Sequence, residues 1–300
     1  MTPALLTADL ELIKKILVDE KEKFTDLNNC GSLIAAKKNF LVNDMRRTQP
    51  LIEDGISMII KVMKQRLMES GSQVNLVDML NESNEFIEPS LLKLDQITII
   101  TLANCLYLLA HHGDVQEKLL NELNSANQAH NYSTFQINKL QYLDSVINET
   151  LRVYPSLSRL QLVATEDMKH GELVIERDTL ITISLFAVLN SDTNFELSAK
   201  FIPERFGSRA GSFVGSNIVA RKTLICPLSH NAKAFVPNFY PLINMLETKL
   251  ILIRLLTQFS FNKVKKLSDG FEQDPAEQLN FLPGNKMIAD NCVVQVVNRN

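Results

Sequence analysis

The chain has 300 residues, 45% hydrophobic and 22% charged, with a formal net charge of −3. That is ordinary globular composition, long enough for one large domain or two modest ones, and without the basic footprint of a nucleic-acid binder. Four cysteines, Cys30, Cys105, Cys226 and Cys292, lie far apart with no CxxC spacing, which excludes a disulfide framework or a zinc site and suits a reducing compartment. No apolar run reaches the length of a membrane span. The start, MTPALLTADLELIKK, lacks a basic-then-apolar signal pattern. The expectation is an unanchored chain, cytoplasmic as written.

In chain order, residues 8–19 predict a short helix capped by Asp9, with Leu10, Ile13, Leu17 and Val18 on its apolar stripe. Met45 to Glu69 is a long helical pattern carrying Ile52, Ile56, Ile59, Ile60, Met63 and Leu67, with Gly71 as its stop. Asn75 to Leu80 continues as a helix, and Asn81 to Ser90 reads as a loop. Leu91 to Leu109 is apolar nearly all round, so it is expected to be a buried helix, ended by His111, His112 and Gly113. Val115 to Leu123 is a further helix, and Ala126 to Ser133 a polar loop.

From Leu140 to Tyr154, the residues Leu143, Val146, Ile147, Leu151 and Tyr154 recur at three- and four-residue steps. Pro155 sets the stop. Glu149 and Arg152 fall off that stripe as an i,i+3 pair, which alone reads as a surface ion pair. Gly171 to Leu189 is β-branched, with a turn at Arg177–Asp178, and reads as a hairpin or two strands. After KFIPERF at Lys200 to Phe206 the sequence is Gly/Ser-rich and aperiodic to about Gly215. Met245 to Phe259 is a strong helix, and Cys292 to Val297 a final strand. The fold class is mainly α with a minor β component.

ETLR at Glu149–Arg152 on a helix, PERF at Pro203–Phe206 some way downstream beyond a β-rich insert, and LLAHHGDVQEKLLNEL before both form a distinctive set. Their order and wording resemble the C-terminal half of a cytochrome P450, closest to the microsomal type that oxidises steroids and xenobiotics. The resemblance is strongest over residues 85–300 and weaker over 1–80, and it implies a single P450-like domain over 1–300 with an incomplete fold. By that resemblance the chain is expected to lack the family's membrane anchor and, between about Leu80 and Ser90, most of the segment that roofs the substrate pocket. The resemblance implies a buried triad of Glu149, Arg152 and Arg205. It also implies heme b, a lipophilic substrate and a reductase partner.

The residues expected to do chemistry depart from the family's pattern. The family holds iron by a Cys thiolate shortly before a helix. Aligned on Pro227, Leu228 and Ser229, that position is Phe235, with Pro237 in place of the following Gly. Aligned on Lys249, it is Asn238. The loop's Arg is replaced by Lys233 or lost. Cys226 is the candidate displaced ligand, or else a small buried hydrophobe. His230 is a second candidate, or a solvated loop residue.

In the oxygen-activating helix the family's small pair becomes Lys93 and Leu94, and its acid becomes Gln96. Asp95 lies one residue off. Thr98 remains, as the candidate catalytic residue or as a threonine bonded to its own helix. Arg159 stands where the family often places a heme-propionate partner, while Leu162 occupies the next basic position. Lys37, Lys38, Arg46 and Arg47 offer another propionate partner or a solvated basic face. Two functions follow: a degenerate P450-like protein impaired in heme-thiolate monooxygenase chemistry, or an active heme-dependent monooxygenase oxidising a lipophilic substrate.

Overall fold

The computed structural model describes residues 3–26, 45–69, 72–86, 94, 96–126, 134–207, 240–264 and 279–299. In chain order these form β1 (Ala4–Thr7), α1 (Leu10–Lys14), β2 (Phe24–Asp26), α2 (Met45–Glu69), β3 (Gln73–Asn75), α3 (Leu76–Phe86), α4 (Gln96–His111), α5 (Gly113–Ala126), α6 (Thr134–Ile137) and α7 (Gln141–Val153). There follow β4 (Leu160–Ala164), β5 (Met168–His170), β6 (Leu173–Ile175), β7 (Leu180–Ile183), α8 (Leu185–Leu189), a tight 3-10 turn at Pro203–Phe206, α9 (Tyr240–Gln258), β8 (Phe259–Asn262) and β9 (Val293–Asn298). The protein is mainly helical with a smaller strand component, as the sequence predicts.

Helix α4 is the spine. Every residue from Thr98 to Ala110 is buried, as its all-round apolar sequence requires. Its last carbonyls lie against side chains of its own end: the Nδ1 atoms of His111 and His112 sit 2.8 Å from the carbonyls of Tyr107 and Leu108. Helix α7 packs beside α4, and α9 contributes a solid apolar wall through Leu250, Ile251, Leu252, Ile253, Leu255 and Leu256. The buried apolar residues of the described elements form one connected cluster.

The larger sheet has the order β1-β7-β4-β2, with β1 parallel to β7 and the other pairs antiparallel. Alternation splits its faces. Leu160, Leu162, Ala164, Ile181 and Ile183 are buried on one, while Gln161, Val163, Leu180 and Thr182 on the other are half-buried. A second sheet, β3-β9-β8, ties the end of α2 to the end of α9.

Several expectations needed correction. The first helix keeps its Asp9 cap, whose carboxylate accepts from the amides of Glu11 and Leu12, but its regular part ends at Lys14 and continues as a wider π-turn, Lys15–Asp19. The loop expected from Asn81 is helical as far as Phe86, because Leu76, Val77, Met79, Leu80 and Ser83 share one buried face. Helix α4 starts at Gln96, not Leu91, and Leu94 is outside it.

The β-branched stretch 171–189 holds two strands in different sheets, the second of its two readings, rather than one hairpin. Leu173–Ile175 pairs back on Met168–His170 around Gly171, which has φ +59°. Leu180–Ile183 joins the large sheet instead, after a turn in which Asp178 has φ +65°. Leu185–Leu189 is a helix. Strands β2, β3, β5 and β8, each three or four residues long, are not marked in the sequence. Such short runs show no usable alternation.

Candidate functional site

The structure brings Glu149, Arg152 and Arg205 together out of contact with solvent. Glu149 and Arg152 have fully buried side chains, and Arg205 is nearly so. Helix geometry sets the first pair: residues three apart on α7 face each other. Arg152 grips Glu149 with two parallel bonds, Nε to Oε2 and Nη2 to Oε1, each 2.9 Å. Arg205, on the Pro203–Phe206 turn, approaches Glu149 Oε1 through Nε at 3.3 Å.

Backbone holds much of the rest, although Arg205 Nη1 is buried without a hydrogen-bond partner. The Ile202 amide donates to Glu149 at 2.9 Å, Arg152 donates to the carbonyls of Leu189 and Lys200, and Arg205 donates to that of Leu197 at 2.9 Å. Leu197 takes the left-handed conformation, φ +53°, at this contact. Arg152 also stands 5.4 Å from the centre of the Phe195 ring. Burial, then the positive Arg152 beside it, weigh against the charge on Arg205, and Glu149 opposes them; the balance lowers its pKa. A charged trio out of water persists only when its members satisfy one another. This arrangement fastens the 189–206 segment onto α7.

A second cluster braces the same turn from outside. Glu204 accepts from Lys118 Nζ at 2.9 Å and from the Tyr142 hydroxyl at 3.2 Å. Burial opposes ionisation of Glu204, but Lys118 and the other donors outweigh it and hold its pKa below the usual carboxylate value. The sequence reading missed this cluster, because its members come from three separated segments with no shared motif.

Thr98 is buried in α4 and lines a cavity of about 10 Å³ together with Thr101, Ile147, Leu151, Met245 and Thr248. This is the space where α4, α7 and α9 face one another. Nearby, Thr101 bonds the Ile97 carbonyl and meets Ser156 Oγ at 2.7 Å. Gln96, at the start of α4, accepts from Lys286 Nζ at 2.5 Å.

A larger cavity of about 670 Å³ opens on the half-buried face of the large sheet, with Leu6, Ser158, Arg159, Thr182, Phe186 and Met287 among its walls. Leu162 is buried on the opposite face of that sheet and contributes nothing there.

The candidate iron ligands Cys226 and His230, the aligned positions Phe235, Pro237 and Asn238, and Lys233, Lys37, Lys38, Lys93 and Asp95 lie outside the described residues. So do the side chains of Arg46 and Arg47. Cys105 and Cys292 are free and buried; burial pushes the Cys105 thiol up to about 12 and raises that of Cys292 as well. Neither is a thiolate at neutral pH.

A heme needs a ligand-sized space, on the order of 300–1,000 Å³, and an axial donor. The space beside Thr98 is too small. The larger cavity has no cysteine, histidine or tyrosine in its lining, and its Met287 has no imidazole to pair with. Among the described residues, then, the site does not fit the group, and no group of three or more His, Cys, Asp or Glu residues there suits a metal ion. No helix among the described residues is long and apolar enough to cross a membrane.

Comparison with known proteins supplies the kinship. The family model described as Cytochrome P450 matches residues 96–221, from the first residue of α4 to beyond the Arg205 turn. The chain is similar to Cytochrome P450 3A9 of Rattus norvegicus, 29% identical over 227 residues, covering 75% of this chain and 42% of that protein. It is 31% identical over 172 residues to Cytochrome P450 3A2 of the same species, covering 57% and 32%. It is 27% identical over 225 residues to Cytochrome P450 3A7 of Homo sapiens, covering 74% and 42%. The match spans less than half the length of these relatives. The matched segment coincides with the helices and turn that carry Glu149, Arg152 and Arg205, so residues 96–221 carry the signature of the cytochrome P450 superfamily, whose members carry heme.

Proposed function

We propose that this chain is a degenerate cytochrome P450-like scaffold, a single domain over residues 1–300, in which heme-thiolate monooxygenase chemistry is impaired and whose role is binding or regulatory. The observation that carries this is the 10 Å³ gap beside Thr98, lined by Thr101, Met245 and Thr248, which leaves no heme-sized space among the described residues of α4, α7 and α9. The sequence argues the same way. Phe235 or Asn238 stands at the thiolate position, and Lys93 and Leu94 replace the small residues that leave room for dioxygen. In this reading Glu149, Arg152 and Arg205 hold the scaffold together, and Thr98 is a packing residue.

The rival is an active monooxygenase acting on a lipophilic substrate with electrons from a reductase partner. It is favoured by the family likeness alone, and it requires Cys226 or another residue to replace the lost ligand. Expression of the full chain with a heme precursor separates the two. The scaffold reading predicts purified protein with neither stoichiometric iron nor a Soret band. Stoichiometric heme in the native chain that is lost in Cys226→Ala overturns it.

A further inference from the structure

Three successive carbonyls at the end of α4 are each met by a side chain. His111 Nδ1 stands 2.8 Å from the Tyr107 carbonyl, His112 Nδ1 2.8 Å from that of Leu108, and Gln116 Nε2 donates to that of Leu109 at 3.0 Å. Two of these side chains also reach other parts of the fold. The His112 ring lies 5.0 Å, centre to centre, from that of Phe201, which leads into the Arg205 turn. Gln116 donates to the Phe261 carbonyl on β8 at 2.7 Å and accepts the Phe261 amide at 3.1 Å. The end of the spine helix is therefore where α5, β8 and the segment before the Arg205 turn are fastened together.

His111 is the titratable group at this junction whose charge the surroundings oppose. A carbonyl only accepts, so Nδ1 carries the hydrogen and Nε2 is the nitrogen left to take up a proton. The ring is half-buried and lies against the Tyr107 ring, centroids 4.2 Å apart. Burial is the first obstacle to its charge. A proton strengthens the contact with the Tyr107 carbonyl, but Lys263, one residue past β8, and His112 on its own helix both repel it, and the balance holds its pKa below the usual 6.5. Among the described residues no carboxylate offsets those two.

We propose that His111 is an acid-sensitive latch: proton uptake on Nε2 places a cation within reach of the Lys263 charge and loosens β8 from the end of α4. The contribution of the neutral ring is whole above 6.5 and is lost as pH falls through the lower folded value. The inference stands apart from the heme reading, since His111 lies thirteen residues along α4 from Thr98, about 20 Å at about 1.5 Å per residue.

Two measurements on the full chain test it. NMR titration of the His111 ring is expected to give a midpoint below 6.5 that moves up towards 6.5 in Lys263→Gln. The second reads the hydrogen-exchange protection factor of the Phe261 amide between about pH 7.5 and about pH 5, the range in which an imidazole titrates. Protection is expected to fall in the native chain and to stay level in His111→Gln, whose side-chain amide can still donate to the Tyr107 carbonyl. In His170→Gln, on β5, it is expected to fall as in the native chain. A midpoint at or above 6.5, a midpoint indifferent to Lys263→Gln, or equal losses of protection in the native chain and His111→Gln overturns the proposal. Should His111→Gln fail to fold, Lys263→Gln must by itself reduce the loss of protection in acid, and an unchanged loss there overturns the proposal as well.

Discussion

Glu149 Oε1 accepts from Arg152 Nη2 at 2.9 Å and from Arg205 Nε at 3.3 Å, so one carboxylate oxygen joins a helix to a turn 56 residues further along the chain. Removing Arg205 leaves part of a fully buried carboxylate uncompensated. Arg205→Ala is therefore expected to destabilise the fold by about 3–5 kcal/mol, measured by urea denaturation. Arg205→Lys should recover little, since an ammonium cannot serve both Glu149 and the Leu197 carbonyl with the geometry of a planar fork. Loss below about 1 kcal/mol for Arg205→Ala would show that the charge contact is incidental.

Gln116 is a quieter anchor. From α5 its side chain donates to the carbonyls of Leu109 and Phe261, and its oxygen accepts the Phe261 amide and an Arg299 nitrogen. It thus acts as a short extra strand beside β8. Gln116→Leu keeps much of the volume but strands these buried groups, at a cost of about 3 kcal/mol. Hydrogen exchange at the Phe261 amide should accelerate in step.

Glu204 sets a pH dependence. Its folded pKa lies below its usual value of 4.5, despite burial, chiefly through Lys118. Its contribution is therefore present above pH 4.5 and is lost as pH falls through the lower folded value. Lys118 has a raised pKa, chiefly through its bond to Glu204, so its share is intact below 10.5 and lost as pH rises through the folded value. The pair is largely exposed, so it is worth less than about 1 kcal/mol. Glu204→Gln should narrow its stability gap from the native chain as pH drops below 4.5. A gap that stays constant from pH 7 to pH 2 would contradict this.

Cys105 and Cys292 are sealed thiols of raised pKa. At pH 8 an alkylating reagent should leave both unmodified in the native chain and modify both in urea, as mass spectrometry of the peptides reads directly. Labelling of either one before unfolding would show that the core around α4 opens.

Long, strongly patterned elements were legible in the sequence. The all-apolar run of α4, the stripe of α7 and the buried wall of α9 follow from composition and period alone, and ETLR with PERF pointed to the meeting of α7 with the later turn. The ends of elements were not. Nothing in Asn81 to Phe86 announces a helix until Ser83 is seen packed inside it, donating to the Met79 carbonyl at 2.7 Å. The edge strand Ala4–Thr7 exists only because Leu180–Ile183 lies beside it. Tertiary pairing of this kind has no local signal. The same holds for the groove at Arg159, whose walls come from the N-terminus, the two central strands and the loop at Met287.

The most direct measurement is the carbon monoxide difference spectrum of the reduced full chain, prepared with heme supplied. The account predicts no thiolate-type Soret band, the strongly red-shifted absorbance that a cysteine-ligated heme gives. A red-shifted band of full intensity that disappears in Cys226→Ala would contradict it, placing an intact reaction centre in this chain.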